Sequence, residues 1–121
     1  MFTALLTNAA LHLITPDYLQ EKEALLANAA YVLVDANISV ESINWLINFT
    51  NLNKIRMIIE PCSVPPAKKI ATANFNGLYL ITPNEDELPA LCSNEATTTD
   101  EQIKELRDRG IQYIWRHQRV D

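Results

Sequence analysis

Short apolar runs alternate along the chain with stretches whose apolar positions recur every three or four residues. The runs are residues 31–36 (YVLVDA), 55–60 (IRMIIE), 78–82 (LYLIT) and 111–115 (IQYIW). Their β-branched and aromatic content predicts buried strands. Between them, residues 15–29, 39–51, 65–77, 84–92 and 97–110 read as helices or helix-plus-turn segments. In the second of these, Ile43, Leu46 and Ile47 share one face at helical spacing. The apolar stretch 1–14 (MFTALLTNAALHLI) reads as a further strand or helix; it lacks a basic leader and is too short to span a bilayer.

Local punctuation supports these elements. Thr15 precedes Pro16, a cap followed by proline at the first helical position. Ser39 caps the next helix. Thr98 or Thr99 opens the last one, with Glu101 or Gln102 three residues on; Glu105 and Arg109 form an i,i+4 pair and Gly110 closes it. Asn76-Gly77 marks a turn. Strand–helix alternation predicts βαβ units: one α/β domain over residues 1–121, with a parallel sheet and helices on its faces. Ligands bind beyond the carboxyl ends of such strands. The positions to inspect are therefore 35–37, 60–62, 82–84 and the tail after Trp115.

Composition narrows the chemistry. With only Gly77 and Gly110, no glycine loop that cradles phosphate fits within the chain. A net charge of −5 and the absence of a basic run exclude nucleic-acid backbone binding. Arg116 and Arg119, in IWRHQR, read as solvated surface. Cys62 and Cys92 read as free thiols of a cytoplasmic protein, and His12 and His117 as too few and too scattered for a zinc site.

The richest stretch is 81–91, ITPNEDELPAL. One reading is a helix start, with Thr82 as cap, Pro83 at the first position and Glu85 completing a capping box, and Asp86 facing solvent beside the helix dipole. The other concerns Asn84 and Glu87, three apart on one helix face at a strand's carboxyl end. There a carboxylate can hold Mg²⁺ and an amide can reach a phosphate oxygen.

The Asn84-x-x-Glu87 segment after a strand resembles the Thr-Pro-Asn-x-x-Glu element of the ribokinase, or PfkB-type, carbohydrate kinases. The order around it agrees: DANISVESINWLI resembles that family's strand, polar segment and helix, and IIEPCS its strand ending in Asp-Pro-x-Ser, with Glu60 in place of the Asp. Within the family the likeness is greatest to pseudouridine kinases. The resemblance implies a Rossmann-like three-layer α/β sandwich with a mainly parallel sheet, present in part. It implies ATP-dependent phosphorylation of a sugar or nucleoside hydroxyl, with ATP and Mg²⁺ as cofactors. By match, Asn84 and Glu87 bind the cofactor, Glu87 on the metal side, and Asn37 faces the sugar; Lys68 could reach a phosphate, though Lys68 and Lys69 read as loop residues facing solvent. The family's catalytic Asp lies in a Gly-Ala-Gly-Asp run that these residues lack, and Asp121 has no glycine nest, so no catalytic residue is assigned. The family's Gly-Gly element and lid are also missing. The expectation is a fragment of a larger kinase domain, inactive in isolation. The alternative is a non-catalytic α/β module that binds a partner or assembles with itself through an exposed sheet edge or apolar face. A metal-dependent hydrolase is a third, more distant option.

Overall fold

The computed structural model describes residues 2–6 and 13–118. Five strands form one parallel sheet in sequential order: β1 (Phe2–Leu6), β2 (Ala29–Asp35), β3 (Arg56–Glu60), β4 (Leu80–Ile81) and β5 (Tyr113–Ile114). The apolar N-terminal stretch thus yields a strand over its first residues. Residues 7–12, with His12, and residues 119–121, with Arg119 and Asp121, lie outside the described residues.

The connections are helical. Thr15 caps α1 (Pro16–Glu21), its hydroxyl accepting from Tyr18 N–H, and α2 (Glu23–Leu26) follows after a break at Lys22. Ser39 caps α3 (Val40–Leu52), accepting from Ser42 N–H. Ile43, Leu46 and Ile47 are buried, as their spacing predicts, and Ser42 Oγ donates to Ile14 O at 2.7 Å. The segment after β3 forms α4 (Val64–Ile70), so Lys68 and Lys69 stand on a helix rather than a loop. Next come α5 (Glu87–Leu91) and α6 (Thr99–Asp108). Of the alternatives at α6, the structure selects Thr98 and Glu101, which exchange side-chain and backbone hydrogen bonds as a capping box.

A sequential strand order with right-handed crossovers places every connection on the same side of a sheet. Burial agrees. Val32, Val34, Met57, Ile59 and Ile81 are buried, whereas the alternating Leu33, Ile58 and Leu80 are only half-buried. Along the helical layer α1 packs on α3, α3 on α4, α4 on α5 and α5 on α6. The described residues therefore supply two layers of the sandwich, sheet and one helical layer. The other sheet face carries Tyr113 and Trp115, 57% and 65% exposed.

One expected contact is replaced. Glu105 does not bond Arg109; its carboxylate accepts from Ser93 N–H and Oγ–H. Arg109 instead donates to Ala71 O, Ala73 O and Leu91 O at 2.6, 2.8 and 3.2 Å, with its guanidinium over the Phe75 ring. The reason is geometric: three carbonyls left free at the ends of α4 and α5 converge on a position that a planar five-donor group fills. The i,i+4 ion pair on this helix is Lys104–Asp108 at 2.6 Å. Gly110, at φ 101°, ends α6, and a Cβ there would come within 2.7 Å of Asn76 Cα.

Because Arg109 satisfies carbonyls from two other elements, Arg109→Ala is expected to lower unfolding free energy by about 2–4 kcal/mol. Arg109→Lys should recover less than half, as an ammonium cannot span the three acceptors. Urea midpoints at constant m-value measure both.

Candidate functional site

The carboxyl ends of β3, β4 and β5 converge, and the side chains that follow them meet there. Parallel pairing of β4 with β5 does not stop at Ile81: Trp115 N–H donates to Ile81 O and His117 N–H to Pro83 O, and Asn84 bridges His117. Thr82 and Pro83 are therefore committed to the sheet, and the expected cap at Thr82 is corrected. Its hydroxyl donates to Glu60 Oε2 at 2.7 Å. Glu85 completes no capping box with it, and it and Asp86 are exposed.

The capping exchange occurs two residues later. Asn84 Oδ1 accepts from Glu87 N–H at 2.8 Å and from Asp86 N–H at 2.9 Å. Glu87 Oε1 accepts in return from Asn84 N–H at 3.0 Å, and Leu88 N–H donates to Asn84 O as in a helix. Asn84 and Glu87 thus form a reciprocal cap, with the relation that a capping box has between its first and fourth residues. This fixes the Glu87 carboxylate, only 2% exposed, at the sheet's carboxyl edge.

Glu87 is not alone there. One donor atom from each of Glu60, Glu87 and His117 lies within 4.8 Å of the others. Glu60 is held by Thr82 Oγ–H and by Cys62 N–H, which donates to Oε1 at 3.0 Å. His117 is held by the ladder and by its ring, with Nε2 3.1 Å from Thr82 O and Nδ1 3.3 Å from Gln118 O. Cys62 adopts φ 72°, a left-handed conformation that costs a non-glycine residue of order 1 kcal/mol. Burial pushes its thiol pKa up, and the charges of Asp35, Glu60 and Glu87 push the same way. Cys62 and Cys92 are free thiols, and burial together with Glu105 raises Cys92 to about 12.

The expected positions separate. Asn84 and Glu87 come together, through each other. Asn37 stands beyond β2, with β3 between it and β4; its N–H donates to Asp35 Oδ1 and its carbonyl accepts from Lys69 Nζ at 2.9 Å. Lys68 is exposed. Sequence reasoning passed over His117 as a ligand, and its signal was positional: it follows the last strand, where the tail folds over the site. Glu60 was visible as a residue at a strand's end, but its partners were not.

The donor set can hold a divalent cation through two carboxylates and an imidazole, and Glu60 and Glu87 form no ion pair with a lysine or arginine among the described residues. Asn84→Ala is expected to destabilise the protein by about 1 kcal/mol through loss of the cap. Glu87→Gln, which keeps a carbonyl acceptor, should cost less than Asn84→Ala. Thermal unfolding of the two variants separates the cap from the charge; equal losses would assign Glu87 a purely electrostatic part.

No family model and no curated protein matches this sequence. Solved structures do match in fold. The chain superimposes on a carbohydrate kinase from Agrobacterium tumefaciens with TM-score 0.69 and 21% identity, over 87% of this chain and 34% of the other. A ribokinase from Arabidopsis thaliana, solved with ribose and ATP, gives 0.59 and 16%, over 79% and 31%. A ribokinase from Giardia lamblia gives 0.60 and 14%, over 84% and 33%. The chain spans about a third of the length of these structures. Its fold is ribokinase-like: an α/β arrangement with an all-parallel sheet, shared with sugar kinases and covering one part of them.

Proposed function

We propose that this chain is a segment of a PfkB-type kinase that transfers the γ-phosphoryl group of ATP to a hydroxyl of a sugar or nucleoside, with pseudouridine the first substrate to test. The observation that carries the reading is the Asn84–Glu87 pair, held by reciprocal hydrogen bonds at the carboxyl edge of a parallel sheet. Phosphoryl transfer is chiefly a matter of positioning and charge neutralisation. Glu87, with Glu60 beside it, would hold Mg²⁺ directly or through its waters, and the ion would neutralise the phosphates of ATP. Asn84 would orient that cluster through the Glu87 backbone, and Asn37 would face the acceptor sugar. The likeness to sugar kinases, one of them solved with ribose and ATP, supports the donor and the substrate class. The 121 residues hold no Gly-Ala-Gly-Asp run, so a general base and an anion hole must come from elsewhere.

The 121 residues alone are expected to show no turnover and at most weak Mg²⁺-ATP binding. A version carrying the flanking coding sequence should phosphorylate pseudouridine, ribose or a related sugar in an ATP-consuming assay. In it, Glu87→Gln should lower kcat/KM by about 10²-fold or more, as loss of a metal-side charge requires. No phosphoryl transfer to any sugar or nucleoside by that version would refute the reading.

The bare sheet face supports a second reading, a non-catalytic module that assembles with itself. Tyr113 and Trp115 stand on that face beside half-buried Leu33, Ile58 and Leu80, the kind of continuous apolar surface that proteins cover. Sedimentation velocity across a concentration series discriminates. Self-association that Trp115→Ser weakens favours this reading; a clean monomer at all concentrations counts against it.

A further inference from the structure

The amino edge of the sheet, opposite Asn84 and Glu87, carries charge of the other sign. A cleft of about 330 Å³ opens there between the end of α3 and the starts of β3, β4 and β5. Lys54 and Arg56 line it and no Asp or Glu does, in a chain with 15 acidic and 10 basic residues. The adjoining hollow beside β2 lacks a lining carboxylate too. Arg56 is held in place: its guanidinium stands 5.0 Å from the centre of the Tyr79 ring and 5.8 Å from that of Tyr31, and Nη1–H donates to the Tyr31 hydroxyl at 3.0 Å. No other guanidinium N–H of Arg56 meets a protein acceptor among the described residues. The titratable groups that act on its charge are Tyr31, Tyr79 and Tyr113, none of them a carboxylate. Ring stacking accounts for the placement of Arg56. It does not account for Lys54 beside it, which lies over no ring and pairs with no carboxylate among the described residues.

We propose that this cleft binds a phosphate monoester carried on a planar ring, the class to which nucleoside monophosphates belong. Such a monoester is largely a dianion at neutral pH, with its second pKa near about 6, and two unpaired cations match that charge. Arg56, pinned by its rings, presents the open edge of a planar fork suited to two phosphate oxygens, and Lys54 adds a point charge. Tyr113 meets Tyr79 edge to face at 5.3 Å between ring centres and is 57% exposed, so its ring offers surface on which a second ring can stack. Asn51 donates through Nδ2 to Asn76 O and keeps its Oδ1 as an acceptor, and the Gln112 amide has no partner among the described residues. The volume falls within the range of small-molecule sites, about 300–1,000 Å³. The site shares no residue with the kinase reading and stands apart from it.

The test is a titration of the ¹⁵N-labelled 121-residue chain with uridine monophosphate, uridine and inorganic phosphate, followed by amide chemical shifts at constant ionic strength and without Mg²⁺. Uridine monophosphate should shift the amides of Lys54, Arg56, Gln112 and Tyr113 saturably and leave those of Asn84–Leu88 in place. Inorganic phosphate should shift the same amides with affinity weaker by about fivefold or more, the contribution of a stacked ring, and uridine should shift none of them over the same range. Arg56→Gln should weaken both phosphates by about tenfold or more. Lys54→Asn, which removes the charge yet suits the left-handed φ of 56° at this position, should weaken both as well. Tyr113→Leu should weaken uridine monophosphate and leave inorganic phosphate unchanged. Absence of saturable shifts at the amino edge overturns the proposal, as do shifts confined to the carboxyl edge. So does unchanged affinity in Arg56→Gln or Lys54→Asn that retains the native spectrum. Equal affinity of the unmodified chain for uridine monophosphate and inorganic phosphate also overturns it, since only an adventitious ion would then occupy the cleft.

Discussion

Everything at the carboxyl edge depends on the parallel ladder between β4 and β5 running past its last strand residues. The bonds from Trp115 to Ile81 and from His117 to Pro83 hold the chain extended where Pro83 and two acidic residues would favour helix. The α5 helix is thereby delayed to the first point where its orphan N–H groups can be satisfied, at Asn84. The ladder also draws the tail after β5 over the site, which is how a histidine thirty residues beyond Glu87 comes to face it. Strand pairing here is a positioning device as much as a source of stability.

The Asn84–Glu87 pair shows that structural and functional readings of one motif need not compete. A reciprocal cap satisfies backbone donors at the helix start, and it also immobilises a buried carboxylate. One carboxylate oxygen accepts from the backbone while the group as a whole keeps lone pairs for a cation. Positioning of this kind is what metal-assisted phosphoryl transfer requires, since a loosely held carboxylate would give up its advantage to entropy. Cys62 belongs to the same economy: its backbone is bent into a left-handed conformation where its N–H reaches Glu60.

The two-layer architecture accounts for the other notable surface. Sequential strand order sends every connection to one side, so the opposite face keeps its apolar residues half-covered at best. In the solved kinases that match, this chain corresponds to about a third of the molecule. Completion by further chain and completion by a second copy make different demands on Tyr113 and Trp115, and the same face distinguishes them.

The sequence by itself determined the strand–helix alternation from Thr15 onward, the parallel sheet, the caps at Thr15 and Ser39, a cap at Thr98 or Thr99, and the edge of the sheet where side chains converge. These follow from periodicity and local hydrogen bonding, which act over a few residues. Asn84 and Glu87 were legible as a pair for the same reason, being one turn apart. Only the tertiary structure decided that they bond to each other rather than leaving the cap to Thr82 and Glu85. The hydroxyl of Thr82 is claimed by Glu60, 22 residues away, and its backbone N–H by Ile59 O in the sheet. Tertiary structure likewise turned Arg109 from Glu105 to three carbonyls, and brought His117 to two glutamates. No local pattern encodes which distant acceptors a side chain will meet, because that is set by strand register and crossover direction, properties of the whole sheet.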